Sequence, residues 1–259
     1  MTYCVGLTLD EGLVYIADTR TNAGVDDIST FRKLHAVDTP GERSMTLLSS
    51  GNLATTQMVI NILKDRMKSC SNRDAHLMNA SSMFEAAKIV GTTLRNVINT
   101  FSENERSTEK KFDGTMILGG QIIGDEPRLF LIYPEGNFIE ASIDTPYFQI
   151  GETKYGRPIL IRAYNRQMGF EDAVKLLLVS FDSTIKANLS VGLPLDLQIY
   201  KRGSFCTGMQ FRIEKDNEYF NMISSGWGEA LRNAFDRLPD FSFETSIDPN
   251  LAKIQSRAA

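Results

Sequence analysis

Strand-like and helix-like segments come in blocks along this chain, and their order restricts the fold more than any other feature. Residues 3–9 and 13–18 are apolar, partly β-branched runs joined by Asp10-Glu11-Gly12, a pattern that predicts a β-hairpin. A second strand pair, 32–37 and 44–50, flanks Asp38-Thr39-Pro40-Gly41. Two helices are expected next, at about 53–68 and 81–101. The second carries Met83, Ala87, Val90, Leu94, Val97, Ile98 and Phe101 at helical spacing, which reads as a core stripe. Strands return at 115–123, 128–133, 138–141 and 147–150. Helices follow at about 157–168, with Pro158 in the first turn, and at 171–188. Strands at 195–201 and 211–215 close the pattern, with 219–224 a weaker strand. A last helix around 227–238 places Trp227, Ala230, Leu231, Ala234, Phe235 and Leu238 on one face.

Runs of strands followed by runs of helices do not suit a parallel βαβ sheet; they suit antiparallel sheets with helices outside. The strands are near-continuous apolar runs, so both faces of each sheet must be covered. An α+β, four-layer α-β-β-α sandwich of two antiparallel sheets satisfies this. The strand that follows Thr2 would be central, and its N-terminal end would open into a cleft between the sheets. No Pro/Gly/Ser-rich linker divides the chain, so residues 1–259 read as one domain, with a C-terminal extension from about 204.

Composition removes several classes of function. The net charge is -4 with Lys and Arg scattered, which argues against a nucleic-acid footprint. The densest charge run, 103–111, reads as a solvated loop. Cys4, Cys70 and Cys206 are too few and too widely spaced for a disulfide framework or a zinc cluster, and suit reduced thiols in a cytosol. The N-terminus lacks a secretory pattern, and no apolar stretch approaches bilayer length. Expected localisation is therefore cytoplasmic, with no membrane partner. Only His35 and His76 supply imidazole, and neither a nucleophile elbow nor a Gly-rich phosphate loop is present.

Thr2 stands directly behind Met1 at the head of the first strand. Removal of Met1, expected before so small a residue, leaves a threonine that carries a nucleophilic hydroxyl and its own base, the α-amine. That amine has an ordinary pKa of about 7.7–8.0, so part of it is neutral near pH 7. Asp18 ends an apolar strand in Tyr15-Ile16-Ala17-Asp18-Thr19-Arg20. It is either a solvated turn carboxylate or a buried group with a partner. Lys33, in Phe31-Arg32-Lys33-Leu34-His35, either reaches to solvent or is held by Asp18 beside the Thr2 amine. In the second case its charge would lower the amine pKa and supply neutral base. Gly51, in Leu48-Ser49-Ser50-Gly51-Asn52, is either part of a plain strand–helix turn capped by Ser or Asn, or the donor of a backbone N–H to a substrate oxyanion.

These stretches together resemble the proteasome β-subunit family, the threonine peptidases among the N-terminal-nucleophile hydrolases. The resemblance rests on Thr2, Ala17-Asp18-Thr19-Arg20, Lys33, Ser50-Gly51-Asn52-Leu53-Ala54, Gly124-Asp125-Glu126-Pro127-Arg128-Leu129, Tyr133-Pro134-Glu135-Gly136 and Ile150-Gly151, in order over about 2–202. The stretches 21–33 and 188–196, and the long C-terminal extension, are similar to the bacterial ancestral β-subunit branch, Anbu. The resemblance implies Thr2 as nucleophile with its amine as base, Lys33 tuning that base, Asp18 holding Lys33, and Gly51 donating to the oxyanion. It also implies that Ser190 hydrogen-bonds the catalytic amine. By position, Thr21, Phe31, His35, Ser49 and Leu53 are implied substrate-pocket residues. Two departures stand out. Glu152-Thr153 follows the Ile-Gly step where many members have serine, and Ala187 and Asn188 stand where the family carries an aspartate.

Such a chain is expected to be a threonine-dependent amide-bond hydrolase acting on peptides within a self-compartmentalising homo-oligomer, a ring or a spiral. The mechanism needs no metal or organic cofactor, and the sequence names no ATPase partner. Two alternatives are a small-molecule amidase or acyl-transfer enzyme with the same nucleophile, and a non-catalytic assembly subunit in which Thr2 is only a strand residue.

Overall fold

Two five-stranded antiparallel sheets lie face to face, each covered on its outer side by a helix pair. The structure is a computed structural model and describes residues 2–22, 28–68, 75–104 and 112–241. Cys70, most of the 103–111 charge run, part of the 21–33 stretch and most of the tail after Pro239 lie outside the described residues. The N-terminal hairpin forms as expected, β1 (Tyr3–Leu9) against β2 (Gly12–Asp18), with Cys4 opposite Ala17 and Leu9 opposite Gly12. A short ribbon, β3 (Arg20–Asn22) and β4 (Ile28–Thr30), leads to β5 (Leu34–Thr39) and β6 (Arg43–Gly51). Helices α1 (Leu53–Lys68) and α2 (Met83–Asn104) follow. Then come β7 (Gly114–Ile122), β8 (Arg128–Ile132), β9 (Phe138–Glu140) and β10 (Tyr147–Gly151). Helices α3 (Thr153–Ala163) and α4 (Phe170–Ala187), strands β11 (Leu195–Lys201) and β12 (Met209–Ile213), and helix α5 (Glu218–Phe235) complete the order.

The first sheet runs β10-β1-β2-β11-β12 and the second β5-β6-β7-β8-β9. Thus β1 is interior, flanked by β10 and β2, while the middle position belongs to β2. The alternation of side chains along β1 explains its unbroken apolar run. Tyr3, Val5 and Leu7 point outward into a core shared with Leu160 of α3 and Leu177 and Phe181 of α4. Cys4 points inward, among Leu48, Ile117 and Ile150. Gly6 lets the sheets approach: a Cβ there would lie 3.0 Å from both Ile117 and Leu129 side chains. On the other side of the sandwich, the α2 stripe packs as expected. Met83, Ala87, Val90, Leu94 and Val97 are buried against Met45, Met116 and Phe130, with Ile98 and Phe101 at the margin.

Three expectations need correction. Helix α3 starts at Thr153, so Pro158 lies inside it and not in its first turn. It also ends earlier, at Ala163, because Asn165 Oδ1 accepts from the Gln167 amide and turns the chain. Residues 219–224 are not a strand but the first turns of α5. Asn217 caps that helix by accepting from the Phe220 amide at 2.9 Å, and Phe220 and Ile223, three residues apart, reach the core. Finally, the apolar face expected on the last helix is largely uncovered, with Leu231 and Phe235 50% and 74% exposed. No described helix is long and apolar enough to cross a membrane.

Candidate active site

Thr2 precedes β1 and is held through its backbone on both sides. Its carbonyl accepts from the Glu152 amide at 2.7 Å. This contact requires glycine at 151: φ there is +84°, and a Cβ would lie 1.8 Å from the Thr2 carbonyl oxygen and 3.1 Å from Ser50 Oγ. The ends of β10, β1 and β6 therefore meet at Thr2. On the other side, the next amide, that of Tyr3, donates to Asp18 Oδ1 at 3.0 Å. The Tyr3 ring is anchored in turn: its hydroxyl pairs with Ser180 Oγ at 2.8 Å, accepts from Gln149 Nε2, and the ring lies 4.5 Å from that of Phe181. The Thr2 hydroxyl makes no hydrogen bond among the described residues.

The same oxygen that holds Tyr3 also receives Lys33. Lys33 Nζ lies 2.8 Å from Asp18 Oδ1, and the ammonium donates a second bond to the Arg20 carbonyl at 2.6 Å. Both side chains are buried. Of the two readings open for each residue, Asp18 is buried with a partner and Lys33 is held by it. Burial pushes the Asp18 carboxyl above the usual carboxylate range; the Lys33 charge and the amides of Tyr3 and Gly192 oppose that rise.

Gly51 serves the turn and leaves an amide over the cleft. Asn52 caps α1, its Oδ1 accepting from the amides of Ala54 and Thr55 at 2.9 and 3.3 Å. Gly51 itself has φ +116°, and a Cβ on it would lie 2.6 Å from the Asp113 carbonyl. Two residues earlier, the Ser49 amide donates to the Lys33 carbonyl at 3.0 Å, just before the start of β5. Alternation along the strand turns the Gly51 amide to that same side, beyond the end of β5 pairing.

Thr2, Lys33 and Gly51 line one cavity of about 720 Å³. Thr21, Phe31, His35, Ser49 and Leu53, the expected pocket residues, line it too. The cavity is not simply a gap between sheets: α1 forms one wall through Leu53, Thr56, Gln57, Ile60, Asn61 and Lys64. Sequence reading took only Leu53 from this face. The signal was there, since these positions recur at three- and four-residue steps, but polar side chains at such spacing read equally well as a solvated face. Burial pushes the His35 imidazole down to about 4, with further contributions from the Lys64 and Arg32 charges, so it is neutral at physiological pH. Among the described residues no group of His, Cys, Asp and Glu side chains is arranged to hold a metal ion.

Ser190 stands apart. It lies in the turn after α4, where its amide donates to Asn188 Oδ1 at 2.9 Å. It does not line the cavity, and its hydroxyl makes no hydrogen bond among the described residues. Its loop nevertheless reaches the site through the Gly192 amide at Asp18, and Arg20 Nη1 donates to the Leu189 carbonyl at 2.9 Å.

The family model for the proteasome subunit matches residues 2–192, a span that takes in Thr2, Asp18, Lys33, Gly51 and Ser190. The chain belongs to the proteasome family. A curated relative, proteasome subunit beta 2 of Pyrococcus furiosus, is 25% identical over 194 residues, covering 74% of this chain and 82% of that protein. Among solved structures, Anbu (ancestral beta-subunit) from Yersinia bercovieri is 50% identical, with a TM-score of 0.87 over 93% of this chain and 100% of its own. Anbu from Pseudomonas aeruginosa, solved as a helical assembly, is 44% identical, with a TM-score of 0.87 over 94% of this chain and 99% of its own. Both structures match the fold over a larger share of the chain than the 2–192 span of the family model.

Proposed function

We propose that this chain is an N-terminal threonine hydrolase that cleaves amide bonds in peptides. The observation that carries the proposal is the convergence of Thr2, the buried Lys33–Asp18 pair and the Gly51 amide at one cavity. Excision of Met1 in the cytosol frees the Thr2 amine. The amine then takes the hydroxyl proton while Thr2 Oγ1 bonds to the substrate carbonyl carbon. The Gly51 N–H donates to the resulting oxyanion. Collapse breaks the C–N bond, and the ammonium returns its proton to the leaving amine. A water, deprotonated by the same amine, then hydrolyses the Thr2 ester and restores the enzyme. Lys33 acts on this cycle as a fixed charge that keeps the amine basic at lower protonation. Asp18 serves as its counter-ion and, through the Tyr3 amide, holds the strand that carries the nucleophile.

The proteasome-family membership supports hydrolysis as the reaction class. The Pseudomonas Anbu assembly supports a homo-oligomer for this chain, built as a ring or spiral that encloses its own sites. The deciding experiment is intact-mass analysis of the source-processed protein combined with an electrophile that targets N-terminal threonine. The mature mass should lack Met1, and one label per chain should appear. Thr2→Ala should lose both labelling and peptide cleavage. Retention of Met1 in the mature protein, or cleavage that persists in Thr2→Ala, would sink the proposal.

A further inference from the structure

The cavity beside Thr2 carries positive charge that no described residue on its wall balances. Arg32, Lys33 and Lys64 line it, and among the described residues no lining residue is acidic. Lys33 is neutralised by Asp18. Arg32 has only a share in Asp196, whose Oδ1 sits 3.3 Å from Arg212. Burial raises the Asp196 carboxyl, and first Arg212, then Arg32, opposes the rise; Arg212 also pairs with Glu214 at 3.2 Å, so Asp196 serves Arg32 as a shared and more distant counter-charge. Lys64 has no hydrogen-bond or ion-pair partner among the described residues.

Position turns these charges toward the reaction site. Leu53, Ile60 and Lys64 share a face of α1, and Lys64 sits about 16 Å along the axis from Leu53. Helical side chains lean toward the helix N-terminus, so the ammonium inclines toward the Thr2 end. The charges of Lys64 and Arg32 both act to lower the imidazole of His35, which lies on the same wall, although a hydrogen bond to the Arg32 backbone opposes them. A lysine on a convex surface would be screened by water; a concave wall of one sign concentrates its potential. Thr56, Gln57 and Asn61 add side-chain hydrogen-bonding groups without charge.

We infer that the cavity selects substrates that carry a carboxylate into it, with Lys64 and Arg32 as the selecting residues. This rests on the hydrolase reading only for the word substrate; the binding preference does not need the chemistry. The carboxylate has two possible sources, an acidic side chain or a free chain terminus.

Calorimetric titration of full-length Thr2→Ala protein separates them with three probes. They are an acetylated tripeptide amide ending in glutamate, its glutamine isostere, and the glutamine peptide with a free terminal carboxylate. At low salt the glutamate amide should bind about fivefold to tenfold more tightly than the glutamine amide, and added salt should narrow the gap. A matching gain for the free-terminus peptide alone assigns the carboxylate to the chain end and still supports the inference. The advantage should vanish in Lys64→Gln, a substitution at an exposed side chain, and shrink in Arg32→Gln. Equal binding of all three probes, no binding by any, or an advantage that survives both substitutions overturns it. A source-processed wild-type protein that prefers acidic peptides but cleaves none would instead remove the hydrolase reading and leave the preference standing.

Discussion

Lys33 and Asp18 form, among the described residues, the ion pair in which both partners are buried, with Nζ 2.8 Å from Oδ1 and 5% and 0% of their side chains exposed. The same carboxylate oxygen accepts from the Tyr3 amide, so a single atom links the lysine to the strand behind Thr2. The pair is therefore both an electrostatic element of the site and a structural tie.

Removing one partner tests this tie. Lys33→Met leaves Asp18 charged in a dry environment and should cost about 3–5 kcal/mol at pH 7.5. Pairing it with Asp18→Asn should recover part of the loss, since no buried charge then remains. The pH dependence has a defined sign. Burial already raises the Asp18 pKa, so its contribution to stability is present below the unfolded value of about 3.9 and is lost as pH rises through the folded value. Without Lys33 the rise is larger. Urea midpoints for Lys33→Met should therefore fall less, relative to wild type, at pH 5 than at pH 7.5; an equal deficit at both would show that Asp18 stays ionised in the variant throughout.

Gly151 should be the most intolerant glycine near the site. Alanine would add positive-φ strain and place a methyl 1.8 Å from the Thr2 carbonyl, so Thr2 must move. The control is Gly41, with φ +82° and open space where its Cβ would stand. Gly41→Ala should cost only about 1–2 kcal/mol and keep full labelling by a threonine-directed electrophile. Gly151→Ala should lose labelling even where thermal melts show folded protein.

His35 should make the protein sensitive to mild acid. Its folded-state pKa is lowered to about 4 from an ordinary 6.5. A depressed base binds fewer protons in the folded state, so its stabilisation is complete above about 6.5 and erodes as pH falls toward 4, by up to about 3 kcal/mol. His35→Gln should flatten that part of the curve. Denaturant titrations at pH 7 and pH 4.5 would check it; an unchanged pH slope in His35→Gln would place the acid sensitivity elsewhere.

Much of this site was legible in the chain because charge in an apolar run is costly unless partnered. Asp18 and Lys33 stood out on that ground, and the hairpin that returns the end of β2 to the start of β1 explains why Asp18 lies beside the Tyr3 amide. The sandwich was legible because β1 and β2 are apolar on both faces. What could not be read has physical reasons too. The ribbon of β3 and β4 has three residues per strand, too few for a period to show. The start of α5 looked like a strand because Tyr219, Phe220 and Ile223 favour β structure, and the Asn217 cap overrode that preference. The α1 wall was hidden because Thr56, Gln57, Asn61 and Lys64 are ordinary solvent-face residues until a cavity lies over them. Ser190 entered through family resemblance alone, and its turn holds it by the backbone.

Gly51 and Asn52 are neighbours whose roles can be separated. Asn52 caps α1 with its side chain, so Asn52→Ala should cost about 1 kcal/mol of stability while turnover stays near that of wild type. Gly51 acts through its amide. Gly51→Ala would bring a methyl within 2.6 Å of the Asp113 carbonyl and shift the end of β6, turning the N–H away from the oxyanion. Loss of such a donor lowers kcat by about 100-fold to 1000-fold. Peptide turnover measured beside thermal stability for the two variants distinguishes the cases. A drop in kcat for Asn52→Ala as large as that for Gly51→Ala would mean that the helix start as a whole, and not the Gly51 amide, supports the reaction.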